Sequence, residues 1–168
     1  MRYSGKLYRA LNPVWARQPL SGRGAAIYGG RFNPKGIEAL YTSLEVLGAI
    51  REANQAGDLQ PTMLVAYDAD IGDILDARDA AALARLGLEA SALADSSWRE
   101  RMKDAGEAPT QALARRLIAA GQHGLLVPSF ARGAGPNDLN IVLWRWGEVS
   151  PSRLTLIDDE GRLPALSC

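Results

Sequence analysis

The chain has 168 residues, 19 basic and 19 acidic, so its formal charge is zero; this argues against a non-specific nuclease or a protein held electrostatically to an acidic membrane. One domain of this length buries a core without staples, and the single cysteine, Cys168, excludes an intramolecular disulfide and fits a reducing compartment. Met1 to Gly5 carries no apolar run of signal-peptide type, and no stretch reaches the roughly 20 apolar residues of a membrane span, so a cytoplasmic protein is expected.

Lys6 to Ala10 reads as a short strand, followed by a Pro- and Gly-rich stretch to Gly30 with little periodicity, expected as a long loop. Ile37, Ala39 and Tyr41 alternate with Glu38, Leu40 and Thr42, which predicts a strand with the Tyr41 ring facing inward. Thr42-Ser43-Leu44-Glu45 matches a capping box, with Thr42 as the N-cap. The helix it would start runs to about Ala56, stops at Gly57, and turns Leu44, Leu47 and Ile50 inward with Arg51 at the edge.

Thr62 to Tyr67 is an apolar strand, and Asp76 to Leu88 is Ala-rich and helical. Further helices are expected over Ser97 to Ala105 and Thr110 to Ala120, the second stopped by Gly121. Leu125 to Val127, Ile141 to Trp146 and Arg153 to Ile157 complete six strands, with Trp144 and Trp146 sharing one face and Trp98 buried against the helical middle. No repeat or linker divides the chain. The fold class expected is α+β, one domain over residues 1–168 with a largely antiparallel sheet. No Gly-x-Gly-x-x-Gly turn follows a strand, which sets aside a Rossmann-type cofactor site.

The segment Gly29-Gly30-Arg31-Phe32-Asn33-Pro34-Lys35-Gly36 concentrates the chemistry. Glycine lets a ligand approach the backbone, and a guanidinium beside it grips a phosphate through two parallel charge-assisted bonds. A loop arginine paired with a surface carboxylate has the same sequence appearance. Lys35 offers a second positive charge near phosphates, or a solvated one. Tyr41 can stack on a flat ligand ring or pack a core. Glu52, if it faces a pocket, can stabilise positive charge developing on a sugar as a glycosidic bond breaks.

Ser129 ends an apolar strand after Pro128 and before Phe130, but no Gly-x-Ser-x-Gly elbow surrounds it. A triad with the only histidine, His123, is therefore a poor reading. One histidine and one terminal cysteine do not supply the usual zinc ligands, so no metal is expected.

Leu7-Tyr8-Arg9-Ala10, Gly30-Arg31-Phe32-Asn33 with Gly36, Tyr41-Thr42-Ser43 leading to Glu52, Pro128-Ser129 and Asn140-Ile141-Val142-Leu143 occur in an order that resembles the RES-domain family, from about Leu7 to Asp158. That family is named for an arginine, a glutamate and a serine. One departure stands out: many members end the last motif with a polar residue and proline, where this chain has Leu143-Trp144-Arg145-Trp146.

The resemblance implies an ADP-ribosyltransferase-like fold and the toxin of a bacterial type II toxin–antitoxin pair. Such a toxin acts on NAD as its substrate, destroying it or transferring its ADP-ribose to a protein target. By position it assigns Arg31, Glu52 and Ser129 as the defining trio, Tyr41 and Asn140 as pocket residues, and a looser role to Arg9. It implies an Xre-like helix-turn-helix antitoxin that blocks the active site, with no membrane and no direct nucleic-acid binding. Two other readings stay open, a toxin directed at RNA and a non-catalytic module that binds a nucleotide or a partner.

Overall fold

The computed structural model describes residues 1–55 and 58–164. Its centre is one seven-stranded sheet, built from β1 (Tyr3–Leu11), β2 (Leu40–Ser43), β3 (Met63–Ile71), β4 (Ile74–Asp76), β5 (Gly124–Pro128), β6 (Leu139–Leu143) and β7 (Ser152–Leu156). The order across it is β4-β5-β6-β2-β1-β3-β7, and only the β4–β5 pairing is parallel. The α+β class with a largely antiparallel sheet is therefore as expected. The expected end of the second helix, Ala56 and Gly57, and Cys168 lie outside the described residues.

Strand alternation divides the apolar residues between the two faces of the sheet. Leu7, Leu40, Tyr67, Leu126, Ile141 and Leu143 build one buried cluster. Ala39, Leu125, Val127 and Val142 build the other, closed over by Phe32, Leu83, Leu93, Leu113 and Leu117. The helices on this side are α3 (Ala80–Arg85), α4 (Ala90–Leu93), α5 (Trp98–Ala105) and α6 (Pro109–Ala119). Trp98 is buried as expected, and Gly121, just beyond α6, takes the left-handed φ of 84° that ends a helix readily.

Several expectations are corrected. The stretch before Gly30 is not all loop, since it holds a 3₁₀ turn at Pro13–Trp15 and a helix α1 at Arg23–Tyr28. The Ala-rich segment from Asp76 begins as β4, whose three residues pair with β5, and its helix starts only at Ala80 under the Asp79 cap. Trp144 and Trp146 do not share a face, because β6 ends at Leu143 and the amides of both Trp144 and Arg145 reach the carbonyl of His123. Two amides on one carbonyl is the geometry of a bulge, which re-aims the side chains beyond it. Trp144 packs on the Phe32 side and Trp146 on the Leu7 side.

The capping box is also overturned. Thr42 and Ser43 belong to β2, where pairing with Ile141 and Asn140 of β6 takes up their backbone, and the helix α2 (Val46–Ala53) starts one turn later with Glu45 as N-cap and no side-chain cap bond. Ladder pairing outweighs one cap worth about 1 kcal/mol. The inner face of α2 is then Gly48 and Ala49, while Leu47 is 63% exposed. A β-carbon at Gly48 would lie 3.3 Å from that of Ser43, so the glycine lets α2 press against β2. Glu52, one turn beyond Gly48 and three residues beyond Ala49, shares this inward face.

Candidate active site

α2 packs on the sheet beside a cleft of about 540 Å³, lined among others by Arg9, Arg31, Tyr41, Glu52, Phe130 and Asn140. Glu52 is the centre of one corner. Its Oε1 accepts from Ser129 Oγ at 2.5 Å and from Asn140 Nδ2 at 2.5 Å, and its Oε2 accepts from Gln55 Nε2. Asn140 is oriented in turn, since its Oδ1 accepts from Ser43 Oγ at 2.7 Å.

The sheet's register produces this corner. Ser43 lies directly opposite Asn140 in the β2–β6 pairing, and Asn140 lies opposite Val127, two residues before Ser129. The ladder continues past β5, with Ser129 N donating to Asp138 O at 2.7 Å. Asp138 then pairs with Arg51 Nη1 at 2.7 Å, tying α2 to the loop that carries Ser129. Arg51, expected at the helix edge, thus fixes its neighbour Glu52.

Arg31 makes a second corner by other means. Its Nη1 donates to the carbonyls of Leu93 at 3.2 Å and Asp95 at 2.8 Å, and its guanidinium lies 4.7 Å from the centre of the Phe130 ring. Burial, and after it the nearby Arg99 charge, hold the Arg31 pKa below its ordinary value. Its Nη2 and Nε have no hydrogen-bond partner among the described residues, so these donors are free for an anion.

A buried polar hub shapes the loop under Arg31. Asn33, fully buried, donates from Nδ2 to the carbonyls of Ala25 and Ile37 at 2.9 Å each, and its Oδ1 accepts from Tyr41 Oη at 2.7 Å. Tyr41 Oη also accepts from Phe32 N at 3.0 Å, and burial pushes its pKa well above the ordinary tyrosine range. Gln111, also fully buried, reaches from α6 to the carbonyls of Gly30 at 2.8 Å and Asn33 at 3.1 Å. A β-carbon at Gly30 would stand 2.2 Å from Tyr41 Oη, so this position requires glycine.

Of the residues singled out from sequence, Arg31, Tyr41, Glu52 and Asn140 line the cleft together, and Ser129 joins through its bond to Glu52. Tyr41 faces inward as expected, but its hydroxyl is spent on Asn33 and Phe32, leaving the ring as its cleft surface. Arg9 lines the cleft as well, with Nη1 donating to the carbonyls of Pro19 at 3.1 Å and Ser21 at 3.2 Å. Lys35 does not join them: it is exposed on the turn and is not among the lining residues. A further cation at the cleft is Arg99 of α5, which stacks 4.5 Å above Trp98.

Sequence reasoning quoted Ser43 and Asn33 within motifs without giving either a role in the site, and passed over Gln111 and Arg99. Strand alternation from Tyr41 already puts Ser43 on the same face, whereas nothing local marks Gln111 or Arg99. The departure at Leu143-Trp144-Arg145-Trp146 also finds its place: Trp144 Nε1 donates to Phe32 O at 2.8 Å and Trp146 Nε1 to Leu20 O at 2.9 Å. These indoles brace the Arg31 loop and the segment before α1. His123 is buried and its Nδ1 has no partner among the described residues; its backbone bonds only to Asp73, Trp144 and Arg145, and it takes no part in the Ser129 contacts.

No curated protein matches the chain. Among solved structures, the crystal structure of the M. tuberculosis MbcT–MbcA toxin–antitoxin complex contains a similar chain, with a TM-score of 0.67 and 23% sequence identity. The match covers 94% of this chain and 84% of that one, which establishes likeness of fold. The RES domain family pattern matches residues 6–165, nearly the whole sequence and every residue of both corners. The chain belongs to the RES domain family.

Proposed function

We propose that the chain is a toxin of a type II toxin–antitoxin pair that consumes NAD by breaking its nicotinamide–ribose bond. The observation that carries this reading is Glu52, its carboxylate held by Ser129 and Asn140 in the same cleft as an Arg31 guanidinium with free donors. Family membership supports it, and so does the fold shared with a chain of a toxin–antitoxin complex.

In this reading Arg31 takes the pyrophosphate, and the nicotinamide end lies beside the Tyr41 ring near Glu52. The bond from ribose C1 to the nicotinamide nitrogen breaks with its electron pair leaving on nicotinamide, which becomes neutral. The positive charge passes to the ribose as an oxocarbenium-like state. A carboxylate fixed in advance stabilises that charge more than it stabilises the bound substrate, which is the condition for acceleration. The acceptor oxygen of water, phosphate or a protein side chain then bonds to C1 and releases its proton to solvent. The nicotinamide leaves as a stable neutral molecule, so Glu52, Arg31 and their supports suffice for the step.

An Xre-like antitoxin that fills the cleft would silence the enzyme, and the cytoplasm, where NAD is available, is its place of action. The testing experiment is incubation of purified protein with NAD, following nicotinamide release and the fate of a label in the ADP-ribosyl group. Release by the wild type and not by Glu52→Ala is expected. Label on protein identifies a transferase, label on a small molecule a hydrolase or phosphorylase. A folded wild type that releases no nicotinamide with any acceptor overturns the proposal.

A further inference from the structure

Three guanidiniums line the cleft, those of Arg9, Arg31 and Arg99, and none makes an ion pair among the described residues; Arg9 is turned to the carbonyls of Pro19 and Ser21, which leaves Arg31 and Arg99. Arg99 lines it and lies 4.5 Å above the Trp98 ring, yet its side chain makes no hydrogen bond or ion pair among the described residues. Arg31, stacked on Phe130, is near enough for the Arg99 charge to lower its pKa. Asp95, the acid next to Arg31 in this region, is turned elsewhere: its carboxylate accepts from Ser97 N at 2.9 Å and Ser97 Oγ at 2.6 Å and pairs with Arg101 at 3.0 Å. Its hydrogen bond to Arg31 comes from the backbone carbonyl. The Glu52 and Asp95 carboxylates offset part of the repulsion between Arg31 and Arg99 through space, but neither bonds to either guanidinium among the described residues. Each guanidinium lies over a ring, and the Nη2 and Nε donors of Arg31 and all the donors of Arg99 have no partner among the described residues, which suits them to gripping a phosphate.

We propose that Arg99 is a second anion-binding residue of the cleft, so that Arg31 and Arg99 together select a ligand with two linked phosphates over one with a single phosphate. The inference rests on the NAD reading above and adds to it that a mononucleotide, nicotinamide mononucleotide included, is a poor substitute. Arg99 binds rather than reacts. Its contribution is the same to substrate and transition state, so its loss raises KM for NAD and leaves kcat in place.

Calorimetric titration with ADP-ribose and with AMP tests this without turnover. Arg99→Ala is expected to weaken ADP-ribose binding by about tenfold, the size of one charge-assisted bond, and to erase most of the wild type's preference for ADP-ribose over AMP. Arg99→Glu is expected to weaken ADP-ribose further, and both variants should melt close to the wild type because the side chain is exposed and gives up only its contact with the Trp98 ring. A wild type that binds ADP-ribose, beside variants that bind it equally well, overturns the role of Arg99 and leaves the NAD reading standing. A wild type that binds no ADP-ribose overturns both.

Discussion

The two corners of the cleft are built on different principles. Around Glu52 the partners are neighbours in the sheet: Ser43 faces Asn140 across a ladder, and Ser129 follows the strand on the other side of Asn140. Around Arg31 the support is a loop, held by Asn33, Tyr41 and Gln111 through bonds that include several backbone carbonyls. The first corner inherits its geometry from strand register, which a one-residue slip would destroy together with the core. The second depends on a few buried polar side chains, each costly to leave without a partner. The carboxylate corner should therefore lose chemistry when altered, and the guanidinium corner should lose shape.

Glu52→Gln is the largest break expected. It keeps size and the Oε1 acceptor for Ser129 and Asn140, gives up the bond from Gln55 and removes the charge, and loss of one pre-arranged electrostatic group costs about 100- to 1000-fold in kcat. Steady-state nicotinamide release checks it, with an unchanged melting temperature showing that the corner survives.

Asn33→Leu probes the other corner. It strips partners from Tyr41 Oη and from the carbonyls of Ala25 and Ile37, at about 1–3 kcal/mol for each buried group left unpaired. A fall in the denaturation midpoint is expected along with loss of ADP-ribose binding. Gly30→Ala should act in the same direction by crowding, since the new methyl would meet Tyr41 Oη and Asn33 Oδ1, at about 1–3 kcal/mol.

Ser43→Ala sharpens the division. It frees the Asn140 amide to rotate without touching Glu52, so kcat should fall several-fold while stability changes little, and Ser43→Thr should restore part of the rate.

The smallest effect lies far from both corners. Just before β1, Arg2 holds Asp70 of β3 with a bond to each carboxylate oxygen, at 2.7 and 2.6 Å, and brings its pKa down to about 2. A carboxyl depressed in the folded state adds stability above its unfolded value and loses it as pH falls toward the folded one. Asp70→Asn should then be slightly destabilising at neutral pH, with the difference closing as pH falls toward about 2. Nicotinamide release by this variant should match the wild type.

The same contrast explains how far the sequence could be read. The carboxylate corner was legible through the ordered motifs, which placed Glu52, Ser129 and Asn140 together with Arg31, and not through periodicity, since Glu52 sits on a helix and the other two at strand ends. Thr42 and Ser43 misled because a capping pattern is local, whereas their place in β2 is decided by β6, nearly a hundred residues away. The short β4 was hidden for a like reason, being a strand only by virtue of β5. Lys35 carried the right charge in the right segment, yet the turn leaves it exposed to solvent, and Arg99 reaches the cleft from α5 instead. Gln111 gives no local sign, since only the packing of α6 against the Arg31 loop makes it structural.

The most direct test compares Glu52→Gln with the wild type in two assays on the same folded protein, ADP-ribose affinity by calorimetry and nicotinamide release from NAD. An affinity within about twofold of wild type is predicted, since Glu52 acts on charge that appears only in the transition state, together with a kcat reduced at least about 100-fold. Nicotinamide release by Glu52→Gln at the wild-type rate would contradict the assignment of Glu52 as the charge-stabilising carboxylate.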